Sequence, residues 1–191
     1  MRKWLARCFL NWGGWRLEGE KPSHNSYVLI AAPHTSNWDF VYMLAFATLF
    51  DIKIRWLAKH SLFYPPMGWL TRALGGIPIE RHKTSNVVAD LVALFQKNPN
   101  LVLAVPAEGT RARTEYWKSG FYHIARGAGV AILPSYLDFS ERRGGFGPPL
   151  VPTGNISADM DYFREFYGPM QGKHPQDFGP IRLKEEESGD R

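Results

Sequence analysis

The chain predicts an α/β domain: a mainly parallel central sheet flanked by helices, in a single domain. Three observations carry this. Short apolar runs of strand length alternate along the chain with helix-length segments. Gly, Pro and Asn clusters punctuate the joints between them. With 191 residues, 45% of them hydrophobic, the chain has enough apolar material for one core of good size.

The elements follow in order. Trp15 to Glu18 reads as a short strand and Tyr27 to Ala32 as a buried one, apolar and partly β-branched. Trp38 to Phe50 is a near-continuous apolar stretch of helix length, with Thr35, Ser36 and Asn37 as candidate N-caps. Lys53 to Ala58 is a strand, Pro65-Pro66 a turn, and Met67 to Leu74 a helix stopped by Gly75-Gly76. Ile77 to Ile79 is a brief strand. Thr84 to Lys97 is a helix with Val88, Leu91, Val92 and Phe95 on one side, ended by Asn98-Pro99-Asn100. Leu101 to Val105 reads as a buried strand, Gly120 to Arg126 as a helix closed by Gly127, and Val130 to Leu137 as another strand. The expected organisation is a basic aromatic arm over residues 1–20, a domain over 21–169 and a solvated tail over 170–191, rich in Gly, Pro and Glu. There is no internal repeat.

A net charge of +5 favours acidic partners: phosphorylated substrates, anionic lipid or an acidic protein. Nucleic acid is not expected. The basic residues are scattered, and Arg142-Arg143-Gly144-Gly145 is too short to make a binding signature. The lone cysteine, Cys8, excludes an intramolecular disulfide and a cysteine-based metal site. His24, His60, His82, His123 and His174 lack ligand spacing, so no metal is expected.

The longest apolar run, Phe40 to Phe50, falls short of the roughly 20 residues that a membrane span needs. No signal peptide is expected, since Met1 to Arg16 is broken by Arg7, Asn11 and Gly13-Gly14. That opening segment interleaves Arg2, Lys3, Arg7 and Arg16 with Trp4, Leu5, Phe9, Leu10, Trp12 and Trp15. Such a composition suits a membrane interface, where tryptophan sits at the headgroups and basic residues favour anionic lipid. A second aromatic patch spans Leu62 to Leu70. Both can equally cover the domain's own core.

Four clusters follow apolar strands, where open α/β sheets bind ligands. In the first, His34 stands five residues before Asp39. Five positions along a helix turn a side chain by about 140°, so the two meet only if His34 lies in the loop before the cap and Asp39 in the first turn. There, a carboxylate on one ring nitrogen fixes the tautomer and leaves the other nitrogen as a base. The plainer alternative is an acid favouring a helix N-terminus beside a polar loop histidine.

The second cluster is Gly75 to Arg81, in which Arg81 offers a planar fork to phosphate. The third is Glu108-Gly109-Thr110-Arg111, a tight loop with one acceptor and several donors, able to hold a phosphate with a polyol hydroxyl. The fourth is Lys118 at a helix start, followed by the strand Val130 to Pro134.

In this order the clusters resemble the glycerolipid acyltransferase family, typified by 1-acyl-glycerol-3-phosphate acyltransferases. Its blocks are His-x4-Asp, Gly-x-Ile-x-Ile-x-Arg, Glu-Gly-Thr-Arg, and an apolar strand ending in proline. They stand here as His34 to Asp39, Gly75 to Arg81, Glu108 to Arg111, and Val130 to Pro134, with Ala107 where the family usually has proline. The resemblance spans roughly residues 25–140. It implies transfer of a fatty acyl group from acyl-CoA or acyl-carrier protein to the hydroxyl of a lysolipid acceptor, 1-acyl-glycerol-3-phosphate in the first instance, without a cofactor. His34 would be the general base and Asp39 its orienting partner. Arg81, Glu108, Gly109, Thr110 and Arg111 would bind the acceptor's head group, with charge from Lys118.

No protein nucleophile is required, and neither a Gly-x-Ser-x-Gly elbow nor a dinucleotide fingerprint occurs. The expected location is peripheral or monotopic, on the cytoplasmic face of a membrane. A thioesterase or lipid hydrolase using the same pair on water is the rival enzyme. A peripheral lipid-binding protein with a dead site is the rival outside catalysis.

Overall fold

The computed structural model describes residues 2–79 and 87–188. Among them, seven strands form one sheet: β1 (Arg16–Glu18), β2 (Tyr27–Ala31), β3 (Ile54–Lys59), β4 (Gly76–Ile79), β5 (Val102–Pro106), β6 (Ala131–Asp138) and β7 (Arg143–Phe146), in the order β1-β7-β6-β2-β5-β3-β4. All neighbours pair parallel except β6 with β7. The helices are α1 (Lys3–Trp12), α2 (Trp38–Phe50), α3 (Gly68–Ala73), α4 (Val87–Lys97), α5 (Gly120–Ala128) and α6 (Ile156–Tyr167). The architecture is the expected mainly parallel α/β sheet flanked by helices.

β2 lies at the centre, with β6 on one side and β5 on the other. Ala31 is in register with Pro106 and Ser135, so the loops after these strands leave the same edge of the sheet. Alternate side chains of a strand point to opposite faces. Val28, Ile30, Leu103 and Ile132 pack on one face with Phe121, Tyr122, Met160, Phe163 and Tyr167 of α5 and α6. On the other face, Tyr27, Leu29, Val102, Ala104 and Leu133 meet α1 and α2.

The expected boundaries need two corrections. Residues 2–20, the described part of the expected arm, are not a separate arm. Ala6, Leu10 and Trp15 are buried in the second core cluster, and Arg16–Glu18 is a strand of the sheet. The amphipathic spacing of α1 gives it an apolar side to bury, and α2, apolar all round, supplies the surface. Nor are residues 170–188 a solvated tail. Met170 and Leu183 are buried, Leu183 pairs with Trp117 as an isolated bridge, and Glu186 binds Arg164 at 2.7 Å. The acidic run finds partners: Glu185 faces His123, and Tyr116 donates to Glu187.

Besides the α1 helix, two further elements, β7 and α6, were not expected. β7 takes in Arg143, Gly144 and Gly145 of the Arg-Arg-Gly-Gly run and is held by Arg143, which meets Asp138 and Glu18 at 3.2 Å each. α6 buries Met160, Phe163 and Tyr167, capped by Asn155, which accepts the N–H of Ala158. The Thr84 start expected for α4 lies outside the described residues.

Candidate active site

Asp39 sits in the first turn of α2 and His34 in the loop before it, as the spacing requires. The Asp39 carboxylate is buried, and its Oδ2 accepts the backbone N–H groups of Thr35 and Ser36, each at 2.8 Å. Those contacts fold the loop over the helix start, where the helix dipole also favours a negative charge. They bring Nδ1 of His34 to 3.2 Å from the same oxygen. The imidazole is half-buried and lines the adjoining cavity. A ring placed so can take up a proton at Nε2, with the carboxylate opposing the positive charge that results.

The second carboxylate comes from the neighbouring strand. β5 runs into Ala107 and Glu108, both buried, and Oε1 of Glu108 accepts the backbone N–H of His34 at 2.9 Å. Burial pushes the Glu108 carboxyl up to about 7, against the lowering effect of that N–H. Oε2 of Glu108 is buried without a hydrogen-bond partner, as are Oδ1 of Asp39 and Nε1 of Trp117. The chain then turns at Gly109, whose φ of +70° suits glycine, and whose missing Cβ would lie 2.9 Å from Cγ of Lys118.

Beyond the turn, Gly109, Thr110 and Arg111 are exposed and line the cavity. Of the site residues expected from sequence, these three and the His34–Asp39 pair therefore share one mouth. Glu108, expected with them, is buried and is not among the residues that line the cavity; its carboxylate meets the His34 loop instead. Lys118 is exposed and packs along Gly109. Arg81 lies outside the described residues; β4, the strand before it, ends at Ile79.

The cavity measures about 610 Å³ and runs from this mouth between α2 and the sheet. Its walls are mostly apolar: Leu29, Phe46, Ala47 and Ala104 midway, Phe50, Ile54 and Phe146 further on. Sequence reading did not foresee it. The available signal was the alternation of large and small residues in β5, with Leu103 on the closed face and Ala104 on the hollow one.

A second missed feature is a strap behind the loop. Oγ1 of Thr35 accepts the N–H of His174 at 3.1 Å, and Gly172 sits so close that a Cβ would lie 2.6 Å from the same oxygen. Among the described residues, no group of three His, Cys, Asp or Glu side chains is gathered as a metal ion would require.

Large apolar side chains stand exposed on two stretches of the surface, and one of them, Leu62, also lines the cavity. On the α1–α2 side stand Trp12, 89% exposed, Trp38 and Val41. Beyond β3 stand Leu62, Tyr64, Met67 and Trp69, the last 72% exposed. No helix among the described residues is long and apolar enough to cross a membrane.

Comparison with known proteins bears on the family and the fold. The family model described as Acyltransferase matches residues 15–138, from the start of β1 to the end of β6. The 1-acyl-sn-glycerol-3-phosphate acyltransferase of Streptococcus pneumoniae is 32% identical over 131 residues, 63% of this chain and 48% of that protein. The chain thus spans about half the length of this curated relative. The crystal structure of the 1-acyl-sn-glycerophosphate (LPA) acyltransferase of Thermotoga maritima shares the fold, with a TM-score of 0.59 at 16% identity over 86% of this chain and 73% of that one. The resemblance drawn from the four blocks holds: the chain belongs to the acyltransferase family.

Proposed function

We propose that this chain moves a fatty acyl group from a thioester donor, acyl-CoA or acyl-carrier protein, to the free hydroxyl of a lysophosphatidate-type acceptor. The observation that carries the reading is the shared mouth. The His34–Asp39 pair opens onto a long apolar cavity beside a loop that ends in Thr110 and Arg111. An acyl chain fits the cavity's character, and about 610 Å³ lies within the roughly 300–1,000 Å³ common for small-molecule sites. Arg111 and Thr110 supply the charge and donors that a phosphate requires, and Arg81 adds a second guanidinium on the sequence argument alone. The name of the Streptococcus pneumoniae relative points to the same acceptor class.

The residues then divide the work. Nε2 of His34 takes the acceptor's hydroxyl proton as its oxygen attacks the thioester carbonyl. Asp39 holds the ring and stabilises imidazolium. The tetrahedral intermediate collapses with loss of the thiolate, which takes the proton back from His34, leaving an ester and a free thiol. No cofactor or resident metal enters this scheme. The net charge of +5 suits either acidic donor.

The test is to supply acyl-CoA and acyl-carrier protein separately, with and without a panel of lysolipids. Ester product that depends on 1-acyl-glycerol-3-phosphate is the expected result. Free fatty acid released without acceptor would assign the pair to hydrolysis and overturn the reading.

The exposed aromatics Trp12, Trp38, Tyr64 and Trp69 favour a lipid surface as the place of work, peripheral or monotopic and on the cytoplasmic face where the donors are found. Lys173 lies 5.2 Å over the exposed Trp38 ring, a cation beside an apolar side chain, as an anionic bilayer would favour. Replacing Trp12 and Trp69 together by Ser should cut partitioning onto vesicles of anionic phospholipid about tenfold, measured by sedimentation. Unchanged partitioning would remove these aromatics from the membrane.

A further inference from the structure

We propose that Glu108 is a positioning residue that sets the His34 loop, and does not bind the acceptor. The inference rests on the reading of His34 as the base and deepens it. Three successive backbone N–H groups, those of His34, Thr35 and Ser36, are taken by two carboxylates from opposite sides. Glu108 takes the first at 2.9 Å, from the end of β5. Asp39 takes the other two at 2.8 Å each, from the start of α2. The loop hangs between these clips, and the imidazole projects from its first residue.

The placement excludes head-group contact for Glu108. It is 2% exposed and absent from the cavity wall, while its sequence neighbours Gly109, Thr110 and Arg111 all line that wall. The turn at Gly109 separates two tasks within one four-residue block: the residue before it faces inward and the residues after it face the mouth. Because one short loop performs both, a head group drawn onto Arg111 bears on the segment that holds the base. The upward shift of the Glu108 carboxyl through burial agrees with an acid whose unpaired Oε2 carries the proton while Oε1 accepts from His34. A neutral amide is then a close substitute for it.

The role separates from the alternatives by what each variant costs. Glu108→Met keeps the volume but removes the acceptor for the His34 N–H, and a misplacement of about 1 Å at a reacting group costs roughly a hundredfold in rate. The expected result is a kcat lowered about tenfold to a hundredfold, with the acceptor KM within about twofold of wild type. Glu108→Gln, whose Oε1 can accept the same N–H, should restore most of kcat.

Arg111→Ala serves as the head-group comparator and should raise the acceptor KM. A Glu108→Met enzyme that raises the acceptor KM as Arg111→Ala does, with kcat held, would overturn the proposal. So would Glu108→Gln failing as badly as Met.

Hydrogen exchange at the His34 amide, read in wild type and in Glu108→Gln, keeps the test open if the Met variant does not fold. Protection retained in Gln supports the clip, and protection lost there overturns it. If wild-type protein transfers no acyl group, the functional reading fails by itself, while the exchange measurement still decides whether Glu108 holds the loop.

Discussion

The two faces of the sheet are built from the same strands and differ in what fills them. On the face covered by α5 and α6, Val28, Ile30, Leu103 and Ile132 are fully buried against Phe121, Phe163 and Tyr167. On the face under α2, the intervening positions include Ala31 and Ala104, with Ala47 opposite, and a cavity of about 610 Å³ remains. The backbone is equally regular on both sides. A one-residue alternation between large and small side chains is enough to make one face a support and the other a container.

This contrast can be broken in several ways. The largest effect belongs to the mouth of the hollow face: His34→Ala should lower acyl transfer by roughly 10²–10⁴-fold, the usual worth of a general base. Thermal stability and vesicle binding should stay at wild-type values. Turnover near wild type would take the base role from His34.

Phe121→Ala on the closed face should cost about 3–5 kcal/mol of unfolding free energy, read from denaturant melts, because the well-packed surroundings cannot collapse into the hole. Its acyl-chain preference should not change.

Glu108, beneath the mouth, links stability to pH. Its folded-state value of about 7 lies above the ordinary 4.5, so the native state holds the extra proton between those values. Stability is greatest below about 4.5 and falls as pH rises through about 7, by on the order of 3 kcal/mol. Glu108→Gln should flatten that part of the stability profile, and a profile unchanged in the variant would place the dependence elsewhere.

The smallest effect is the most specific. Ala104→Leu narrows the cavity and should shift the ratio of kcat/KM for long against short acyl donors about tenfold toward short ones, with stability held within about 1.5 kcal/mol. An unchanged ratio would mean that the acyl chain lies elsewhere.

Much of this was legible before any coordinates. Trp38–Phe50 was read with its bounds intact, because a long apolar run after three capping candidates leaves little choice. The strands β2, β5 and β6 were read within a residue or so, since runs such as Val28-Leu29-Ile30 admit few alternatives to a buried strand. Helical geometry named the one placement in which His34 and Asp39 meet, and the structure holds that placement, which the pattern alone left open beside a plain helix-start acid.

What escaped was specified by tertiary contact. β7 has a poor strand sequence, two glycines after an arginine, and exists because Arg143 reaches Asp138 and Glu18 across neighbouring strands. The inward turn of Glu108 depends on β5 lying beside β2, which local pattern does not report. α6 is the exception: Met160, Phe163 and Tyr167 follow helical spacing and were readable.

The strap behind the His34 loop has a consequence for how the molecule is made. Thr35 is braced by His174, a residue 139 positions later, and Trp117 is bridged by Leu183. A polypeptide emerges from the ribosome amino end first, so sheet and helices can gather while His174 and Leu183 are still untranslated. The loop bearing the imidazole therefore reaches its working shape only after His174 has been made, and a nascent chain carries His34, Asp39 and Arg111 well before their setting is complete.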